Sequence, residues 1–371
     1  NKEIVTILVT GSEGFIARNL ILKLKENKFQ VQEFHRGSEF SEIEHNLDNI
    51  SFIFHLAGEN RPKNEDAFYE TNQILTEKIV NCLKRNNRNI PIVFSSSTQV
   101  EENNHYGKSK LRAEEALKTL DRAIIYRFPG VFGKWSKPNY NSVVSTFAYN
   151  CVNGLNLEVN DASKVIKLIY IDEVVDLFLQ NLNEQPLGIV YPALNNCYEI
   201  SLGDLASKML QFKKDHKENK VSNVGSGLER ALYSTFLSFF EPEQFLFPVK
   251  ANIDDRGQFS EILKTPSSGQ FSFFTAKPGV TRGEHYHHSK NEKFLVVKGS
   301  ARFRFRNVIT NHYCELAVSS KDLNLVCTIP GWAHDITNIG KEEMIVFLWA
   351  NEIFDPDQPD TIFMKLEDEI T

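Results

Sequence analysis

Short apolar runs alternate with stretches of helical spacing over about the first half of the chain. The apolar runs typical of β-strands are Ile4–Val9, Phe29–Phe34, Ser51–Leu56, Ile92–Ser95 and Ala123–Tyr126. The stretches typical of helices are Phe15–Lys25, Glu65–Lys84 and Lys108–Thr119. Such alternation favours a parallel sheet, because a right-handed helical crossover returns the chain to the same edge of the sheet. We therefore predict an α/β domain built on a parallel sheet.

The pattern changes in the last third of the chain. From Ser201 to about Leu237 the spacing is helical, and Ser201 is the predicted N-cap. After Phe247, short segments with period-two alternation are separated by turn signals. These segments are Phe271–Phe274, Phe294–Val297, Ala301–Phe305 and Met344–Leu348. We predict an all-β barrel here and divide the chain into a first domain over 1–243 and a second over 244–371.

Composition narrows the class of protein. A chain of 371 residues exceeds one ordinary domain, and its net charge of −6 argues against nucleic acid as a general partner. No stretch approaches the roughly 18 apolar residues that span a membrane, and a strand begins too early for a signal peptide. The five cysteines are scattered and lack paired spacing, which favours reduced thiols. We expect a cytoplasmic protein.

A glycine motif, Thr10–Ala17, follows the first strand and opens the first helix. Glycines let the backbone approach a pyrophosphate, and a helix N-terminus presents free N–H groups to it. Arg36, at the end of the second strand, suits a 2′-phosphate, so we favour NADPH; a solvated surface arginine is the alternative. The residues that we predict to bind the cofactor are Gly11, Gly14, Phe15, Ile16, Arg36, Leu56, Ala57, Tyr106 and Lys110.

A serine, a tyrosine and a lysine supply candidate reductase chemistry. Tyr106 and Lys110 are four residues apart on a predicted helix and therefore face the same way. We expect the ammonium to lower the tyrosine pKa from its usual value of about 10. Tyr106 could then give a proton to a carbonyl oxygen, while Ser97 hydrogen-bonds the same oxygen. We predict Ser97, Tyr106 and Lys110 as catalytic residues.

With the glycine loop, this constellation resembles the extended short-chain dehydrogenase/reductase family over roughly residues 4–240, which implies a Rossmann-like fold and a nucleotide-sugar substrate. Thr98-Gln99 stands where dehydratases of that family carry an acid pair, so loss of water is not expected. Gly130 replaces a family asparagine that touches substrate. The residues that we predict in its place are Asn139, Tyr140 and Asn141, with a plain polar loop as the alternative.

The second half of the chain carries a candidate metal site. Period-two spacing places His285 and His287 on one face of a strand, within reach of Glu292 from the next stretch. This segment and Pro330–His334 resemble the two signatures of the cupin family, and His334 adds a third imidazole. Such ligands suit zinc, iron, manganese or nickel, and we favour one zinc ion. The alternative for each histidine is a satisfied core residue.

A further resemblance concerns the chemistry of the barrel. Asp255–Glu261 and Arg282–Tyr286 resemble the signatures of deoxysugar ketone epimerases, a metal-free cupin group. This resemblance implies Arg256 and Arg282 as substrate contacts. In that group the histidine at the place of His285 is the base, and a metal-bound imidazole cannot act so. We favour His285 as a ligand and leave the base open among three residues. These candidates are Glu284, Tyr286 and His288.

Nearly the whole chain resembles a family of two-domain capsular polysaccharide enzymes, on segments that include Lys134–Ser142 and His287–Phe294. The resemblance implies a UDP-2-acetamido-2,6-dideoxy-4-hexulose substrate, epimerised at C3 in the cupin and reduced at C4 with NADPH. The implied product is UDP-2-acetamido-2,6-dideoxy-L-talose, on the route to UDP-N-acetyl-L-fucosamine, and the implied assembly is a homodimer. The alternatives are a reductase with a purely structural cupin and a sugar-sensing regulatory protein.

Overall fold

The structure, a computed structural model, describes residues 6–140, 142–249, 252–254, 257–259, 263, 265, 269–352 and 355–367. The chain forms two compact units. The first runs to Val143 and resumes over Val165–Ile200, and the second contains Val144–Lys164 and continues from Ser201. The helices after Ser201 thus belong to the second unit, whereas the boundary between 243 and 244 that we placed by sequence remains a prediction.

The first unit is built on a parallel sheet. Its strands are β1 (Thr6–Thr10), β2 (Gln30–Phe34), β3 (Ile50–His55), β4 (Ile92–Ser97), β5 (Arg122–Phe128) and, after two short strands described below, β8 (Gly188–Val190). The order across the sheet is β2-β1-β3-β4-β5-β8, and all pairs are parallel. The chain leaves β1 for β2 on one side and returns to β3 on the other. The carboxyl end of β1 is therefore a topological switch point, where α/β sheets bind ligands.

Helices cover this sheet. They are α1 (Phe15–Glu26), α2 (Phe40–Asn46), α3 (Asp66–Phe68), α4 (Leu75–Arg85), α5 (His105–Leu117) and, later in the chain, α7 (Ile171–Glu184). A core of aliphatic and aromatic side chains fills the layer beneath α4 and α5, including Ile79, Leu83 and Leu117. The five predicted strands and three predicted helices are confirmed, with their ends shifted by a few residues; Ile4 and Val5 lie outside the described residues.

Sequence patterns did not reveal a small sheet formed by β6 (Gly130–Phe132), β7 (Val165–Tyr170) and β9 (Tyr198–Ser201). Its strands are short, and the sequence distance between them hides the pairing. Helix α6 (Val143–Val152) was not predicted either, and it belongs to the second unit.

After Ser201, the second unit continues with two helices, α8 (Leu202–Lys217) and α9 (Gly227–Leu237), before the barrel begins. The hydroxyl of Ser201 accepts a hydrogen bond from the backbone N–H of Asp204 at 3.1 Å, which confirms it as an N-cap. No helix within the described ranges is long and apolar enough to cross a membrane.

The rest of the second unit is antiparallel. Its strands are β10 (Leu246–Pro248), β11 (Asn252–Asp254), β12 (Gly257–Phe259), β13 (Gln270–Ala276), β14 (Thr281–Tyr286), β15 (Glu292–Lys298), β16 (Ser300–Asn307), β17 (Tyr313–Ser319), β18 (Asn324–Cys327), β19 (Trp332–Asn338), β20 (Met344–Ala350) and β21 (Ile362–Phe363). Two five-stranded sheets have the orders β10-β18-β15-β20-β13 and β17-β16-β19-β14-β21. The predicted fold class, a Rossmann-like domain followed by a cupin barrel, is confirmed.

Alternation along β16 shows how the barrel is filled. Phe303 and Phe305 are buried, whereas the arginines between and beside them are only half-buried. Side chains one residue apart on a strand point to opposite faces, so the phenylalanines fill the interior and the arginines line the outside. His334 on β19 pairs in register with Phe305 and therefore lies on the same inner layer.

Candidate functional site

A cleft of about 820 Å³ opens in the first unit. Its wall contains the N-terminus of α1, the end of β4 and the start of α5. The predicted residues that line it are Gly14, Phe15, Ile16, Leu56, Ser97, Tyr106, Lys110 and Tyr140. Tertiary structure thus brings together residues that are up to about 125 positions apart in sequence.

The glycine loop fits a phosphate group for two reasons. Gly11 has a φ of +67°, and a Cβ there would lie 2.6 Å from the Cα of Ala57, so any other residue would push the loop away from β3. Gly14, the N-cap of α1, leaves the first N–H groups of this helix without a side-chain cap. Gly11 and Ala57 shape the loop from behind the cleft, while Gly14 to Ile16 line it.

A buried histidine behind the loop was not identified by sequence reasoning as functional. The Nδ1 atom of His55 lies 2.7 Å from the Thr10 hydroxyl, which also accepts the backbone N–H groups of Leu56 and Ala57. Its Nε2 atom lies 2.7 Å from the hydroxyl of Thr76. Burial, reinforced by the charge of Lys110, lowers the pKa of His55 to about 3, so the ring is neutral. This arrangement fixes the loop after β3 against the end of β1.

Ser97, Tyr106 and Lys110 converge on one wall of the cleft. Tyr106 shares a hydrogen bond with Ser97, whose Oγ also accepts the backbone N–H of Gln99 at 3.1 Å. The Lys110 ammonium donates to the backbone oxygen of Ser95 at 2.8 Å and lies 5.9 Å from the centre of the Tyr106 ring. These positions support Tyr106 as a proton donor that lies between the Ser97 hydroxyl and the Lys110 ammonium.

The predicted direction of the tyrosine pKa shift is wrong. Burial raises the pKa of Tyr106 to about 12, against the opposing effect of the hydrogen bond with Ser97. Burial also lowers the pKa of Lys110 to about 8, although Glu114 acts the other way. Desolvation exceeds the attraction between ammonium and phenolate here, because both groups are withdrawn from water. Tyr106 is consequently a neutral phenol, the form that can donate a proton.

Arg36 and Tyr140 both bind the carboxylate of Glu59, a residue that the sequence patterns did not indicate. One oxygen of Glu59 accepts from the Arg36 guanidinium at 2.6 Å, and the other accepts from the Tyr140 hydroxyl at 2.6 Å. Glu59 is buried, whereas the Arg36 side chain is 83% exposed. Asn139 does not line the cleft; its backbone oxygen accepts from Arg61. Asn141 lies outside the described residues.

Asn72 lies in a π-helical turn, Tyr69–Ile74, beside this wall. Its side chain accepts the backbone N–H of Glu59 at 3.0 Å and donates to the Ser109 hydroxyl at 3.0 Å. Such turns occur at functional sites because they redirect a side chain that a regular helix would place elsewhere. Asn72 thus connects the loop after β3 to helix α5, which carries Tyr106.

The second unit contains a cluster of four potential ligands, and these are the four that we predicted. His285, His287, Glu292 and His334 each offer one ligand atom, and these atoms all lie within 4.8 Å of one another. One oxygen of Glu292 lies 3.2 Å from Nε2 of His287 and 3.4 Å from Nε2 of His334. His285 lies on β14, Glu292 on β15 and His334 on β19, and His287 directly follows the end of β14.

The orientation of the imidazoles fits a metal ion. The Nδ1 atoms of His285, His287 and His334 face the backbone oxygens of Gly283, Asp360 and Trp332, at 3.0, 2.6 and 3.3 Å. A carbonyl oxygen only accepts, so each Nδ1 carries a proton, and Nε2 is the nitrogen that each ring offers to a metal ion. Carbonyl partners of this kind orient metal-binding histidines in proteins.

The other barrel residues that we singled out lie near this cluster in the sequence. The guanidinium of Arg282 lies 5.0 Å from the centre of the Phe274 ring and donates to the backbone oxygen of Thr275. The rings of Tyr286 and His288 lie 5.8 Å apart, and Glu284 has a φ of +57°. Alternation along β14 places Tyr286 opposite to His285, which does not favour it as a base at the cluster. Arg256 lies outside the described residues.

The parallel sheet, the glycine loop and the Ser-Tyr-Lys cleft define the class of the first unit as a Rossmann-like dehydrogenase fold. The second unit contains a cupin barrel. The model of the NAD dependent epimerase/dehydratase family matches residues 7–191, and that of the polysaccharide biosynthesis C-terminal domain matches residues 252–362. A UDP-glucose 4-epimerase from Thermotoga maritima has the fold of the first part, with 19% identity, a TM-score of 0.50, and coverage of 57% of this chain and 83% of its own.

Two relatives match both parts. A UDP-2-acetamido-2,6-beta-L-arabino-hexul-4-ose reductase from Pseudomonas aeruginosa is 46% identical over 96% of this chain and 97% of its own. The crystal structure of the capsular polysaccharide assembling protein CapF from Staphylococcus aureus is 37% identical, with a TM-score of 0.65, over 97% of this chain and 99% of its own. The chain belongs to the family of CapF-like proteins.

The buried ammonium of Lys110 generates a stability prediction. Its pKa is about 8 in the folded protein against 10.5 in the unfolded chain, so the unfolded state binds the proton more tightly. The free energy of unfolding contributed by this group should therefore rise with pH across that window. In urea denaturation of the cofactor-free protein, the free energy of unfolding of the wild type should increase relative to that of Lys110→Met as the pH rises between these two values. The exposed Lys108, changed to Met, is the control, and a pH-independent difference for Lys110→Met would contradict its burial as a cation.

Proposed function

We propose that this protein is a bifunctional enzyme on a UDP-4-keto-6-deoxy-N-acetylhexosamine. The cupin epimerises the sugar at C3, and the first unit reduces the C4 ketone with NADPH to give UDP-2-acetamido-2,6-dideoxy-L-talose. The observation that carries the reductase part is the convergence of Ser97, Tyr106 and Lys110 on the cleft that also contains the α1 N-terminus. The relative that is named a reductase of a UDP-hexul-4-ose supports the substrate class.

For reduction, the neutral phenol of Tyr106 donates its proton to the C4 oxygen, and the Ser97 hydroxyl hydrogen-bonds that oxygen as its charge develops. Lys110 holds the ribose next to the nicotinamide and favours the phenolate that remains. NADPH, when bound, supplies the hydride. The pyrophosphate would lie at the N-terminus of α1, with Arg36 at the 2′-phosphate. Tyr140 would contact the sugar end of the substrate from the opposite side of the cleft.

For epimerisation, the four-ligand cluster would hold a divalent ion, and we favour zinc. The ion would act as a Lewis acid on the ketone oxygen and so stabilise the enolate. A base removes the C3 proton beside the ketone, and the proton returns on the other face. We leave this base unassigned among Glu284, Tyr286 and His288, and we propose Arg282, with Arg256, as contacts for the substrate.

The remaining parts of the proposal concern location and pathway. All five cysteines are free, which suits a reducing cytoplasm. The CapF relative, a capsular polysaccharide assembling protein, supports a place in bacterial surface polysaccharide synthesis, on the route to UDP-N-acetyl-L-fucosamine.

We also propose a homodimer formed through the barrel. Strand β13 lies at the edge of its sheet and exposes Phe271 and Phe273, with Phe347 packed beside Phe273 at 6.2 Å between ring centres. An exposed apolar patch on an edge strand is a surface that proteins cover by association.

The reductase assignment predicts that Tyr106→Phe lowers the rate of NADPH oxidation with a UDP-4-keto sugar by about 10²–10⁴-fold, because the proton donor is lost. Cofactor binding, measured by fluorescence, should change little. Tyr126→Phe is the matched control, since Tyr126 is also buried but its hydroxyl donates to Asn181. Full NADPH oxidation by Tyr106→Phe would refute the reductase assignment.

The epimerase assignment predicts deuterium uptake at C3 from heavy water without NADPH. His287→Ala should abolish this exchange and lower the metal content, because one ligand of the cluster is removed. NMR spectroscopy of the recovered sugar measures the exchange, and His312→Ala, at an exposed histidine, is the control. Wild-type protein that reduces the ketone yet shows no exchange would favour a purely structural cupin. Exchange that survives in His287→Ala would refute the metal role.

The dimer predicts that the double variant Phe271→Ser, Phe273→Ser sediments as a monomer at micromolar concentration, because the polar hydroxyls remove the apolar surface that drives association. Phe363→Ser is the control, since Phe363 is 67% exposed on the other sheet. Sedimentation velocity distinguishes the species, and a variant that stays dimeric would place the interface elsewhere.

A further inference from the structure

Asp360 binds the loop between two candidate metal ligands, His287 and Glu292. Its carboxylate accepts the backbone N–H groups of His288, Ser289 and Lys290, at 2.9, 2.9 and 2.8 Å. Three consecutive N–H groups are thereby directed to one side chain. This contact fixes the path of the loop between the two ligands.

The same residue also orients His287 directly. The backbone oxygen of Asp360 accepts the Nδ1–H of His287 at 2.6 Å. Because this bond occupies Nδ1, it leaves Nε2, which faces Glu292 at 3.2 Å, as the nitrogen that can bind a metal ion. Side chain and main chain of Asp360 therefore act on the same ligand segment.

The backbone of Asp360 is strained. Its φ of +40° lies in the left-handed region, which residues with a side chain seldom adopt. Such strain persists only where the surrounding contacts require it, and it is concentrated at functional sites. Strand β21 begins two residues later, at Ile362, and its Phe363 pairs with His285 of β14. The segment is consequently held against two of the four candidate ligands.

Helix α9 also contacts the loop between His287 and Glu292. Arg230 donates to the hydroxyl of Ser289, and its guanidinium lies 3.2 Å from a carboxylate oxygen of Glu352 and 3.8 Å from one of Asp360. Ser234, one turn further along α9, donates to the backbone oxygen of Ser289 at 2.9 Å. The helix that precedes the barrel in sequence thus packs against the loop that carries the ligands.

We propose that Asp360 is a positioning residue that holds His287 and the loop to Glu292 in the geometry for metal binding, with Arg230 as its support. This inference rests on the metal centre of the proposed function. Asp360 does not coordinate the ion; it removes the freedom of the loop, so that the ligands need not be ordered when the metal binds.

The test is the metal affinity of the full-length protein. Cobalt- and zinc-loaded wild type, Asp360→Ala and Asp360→Asn are titrated with a chromophoric chelator, and the cobalt absorption spectrum reports the ligand geometry. We expect Asp360→Ala to weaken metal binding by about 10–100-fold, as is usual for the partners of metal ligands. Asp360→Asn keeps one acceptor oxygen, but its amide NH₂ group cannot accept from the remaining N–H groups. Its metal affinity should therefore lie between those of Asp360→Ala and the wild type.

Asp357→Ala is the matched control, since Asp357 is an exposed residue of the same segment. Arg230→Met should weaken binding less than Asp360→Ala. If Asp360→Ala does not fold, Asp360→Asn decides the test alone. Wild-type affinity and an unchanged cobalt spectrum in folded Asp360 variants would overturn the positioning role. Wild-type protein that binds neither ion would overturn the metal centre and this inference with it, whereas NADPH oxidation would test the reductase separately.

Discussion

Each candidate site contains a buried nitrogen donor that a backbone carbonyl orients, and the geometry of the site depends on this contact. The ammonium of Lys110 donates to the oxygen of Ser95, and the Nδ1 of His287 donates to the oxygen of Asp360. A buried donor without a hydrogen-bond partner lowers the stability of the fold by about 1–3 kcal/mol. Each of these nitrogens therefore lies where a backbone carbonyl oxygen can accept its hydrogen bond. The remaining face of each side chain is then directed at the space where substrate or metal would bind.

Desolvation sets the protonation states in the reductase cleft. Burial raises the pKa of Tyr106 to about 12 and lowers that of Lys110 to about 8. Both shifts favour neutral groups, since a charge loses its hydration when it is buried. The phenol therefore keeps the proton that reduction of a ketone requires.

The connections between distant segments explain why the candidate sites extend beyond the motifs. Glu59 links Arg36, which follows β2, to Tyr140, which lines the cleft. Asp360 binds His287 and the loop that leads from it to Glu292, about 70 residues earlier in the sequence. Glu59 is buried, Asp360 is partly buried, and both carboxylates receive more than one donor. Neither belongs to a motif, because its role depends on what folding brings next to it.

The amino-acid sequence alone determined the two fold classes, the glycine loop, the Ser-Tyr-Lys set and the four candidate metal ligands. These features depend on local spacing, namely a helical turn between Tyr106 and Lys110 or the two-residue spacing of His285 and His287. Tertiary structure decided the direction of the Tyr106 pKa shift and revealed Glu59, His55 and Asp360. Burial and long-range hydrogen bonds arise only when remote segments pack together, and no local pattern records them.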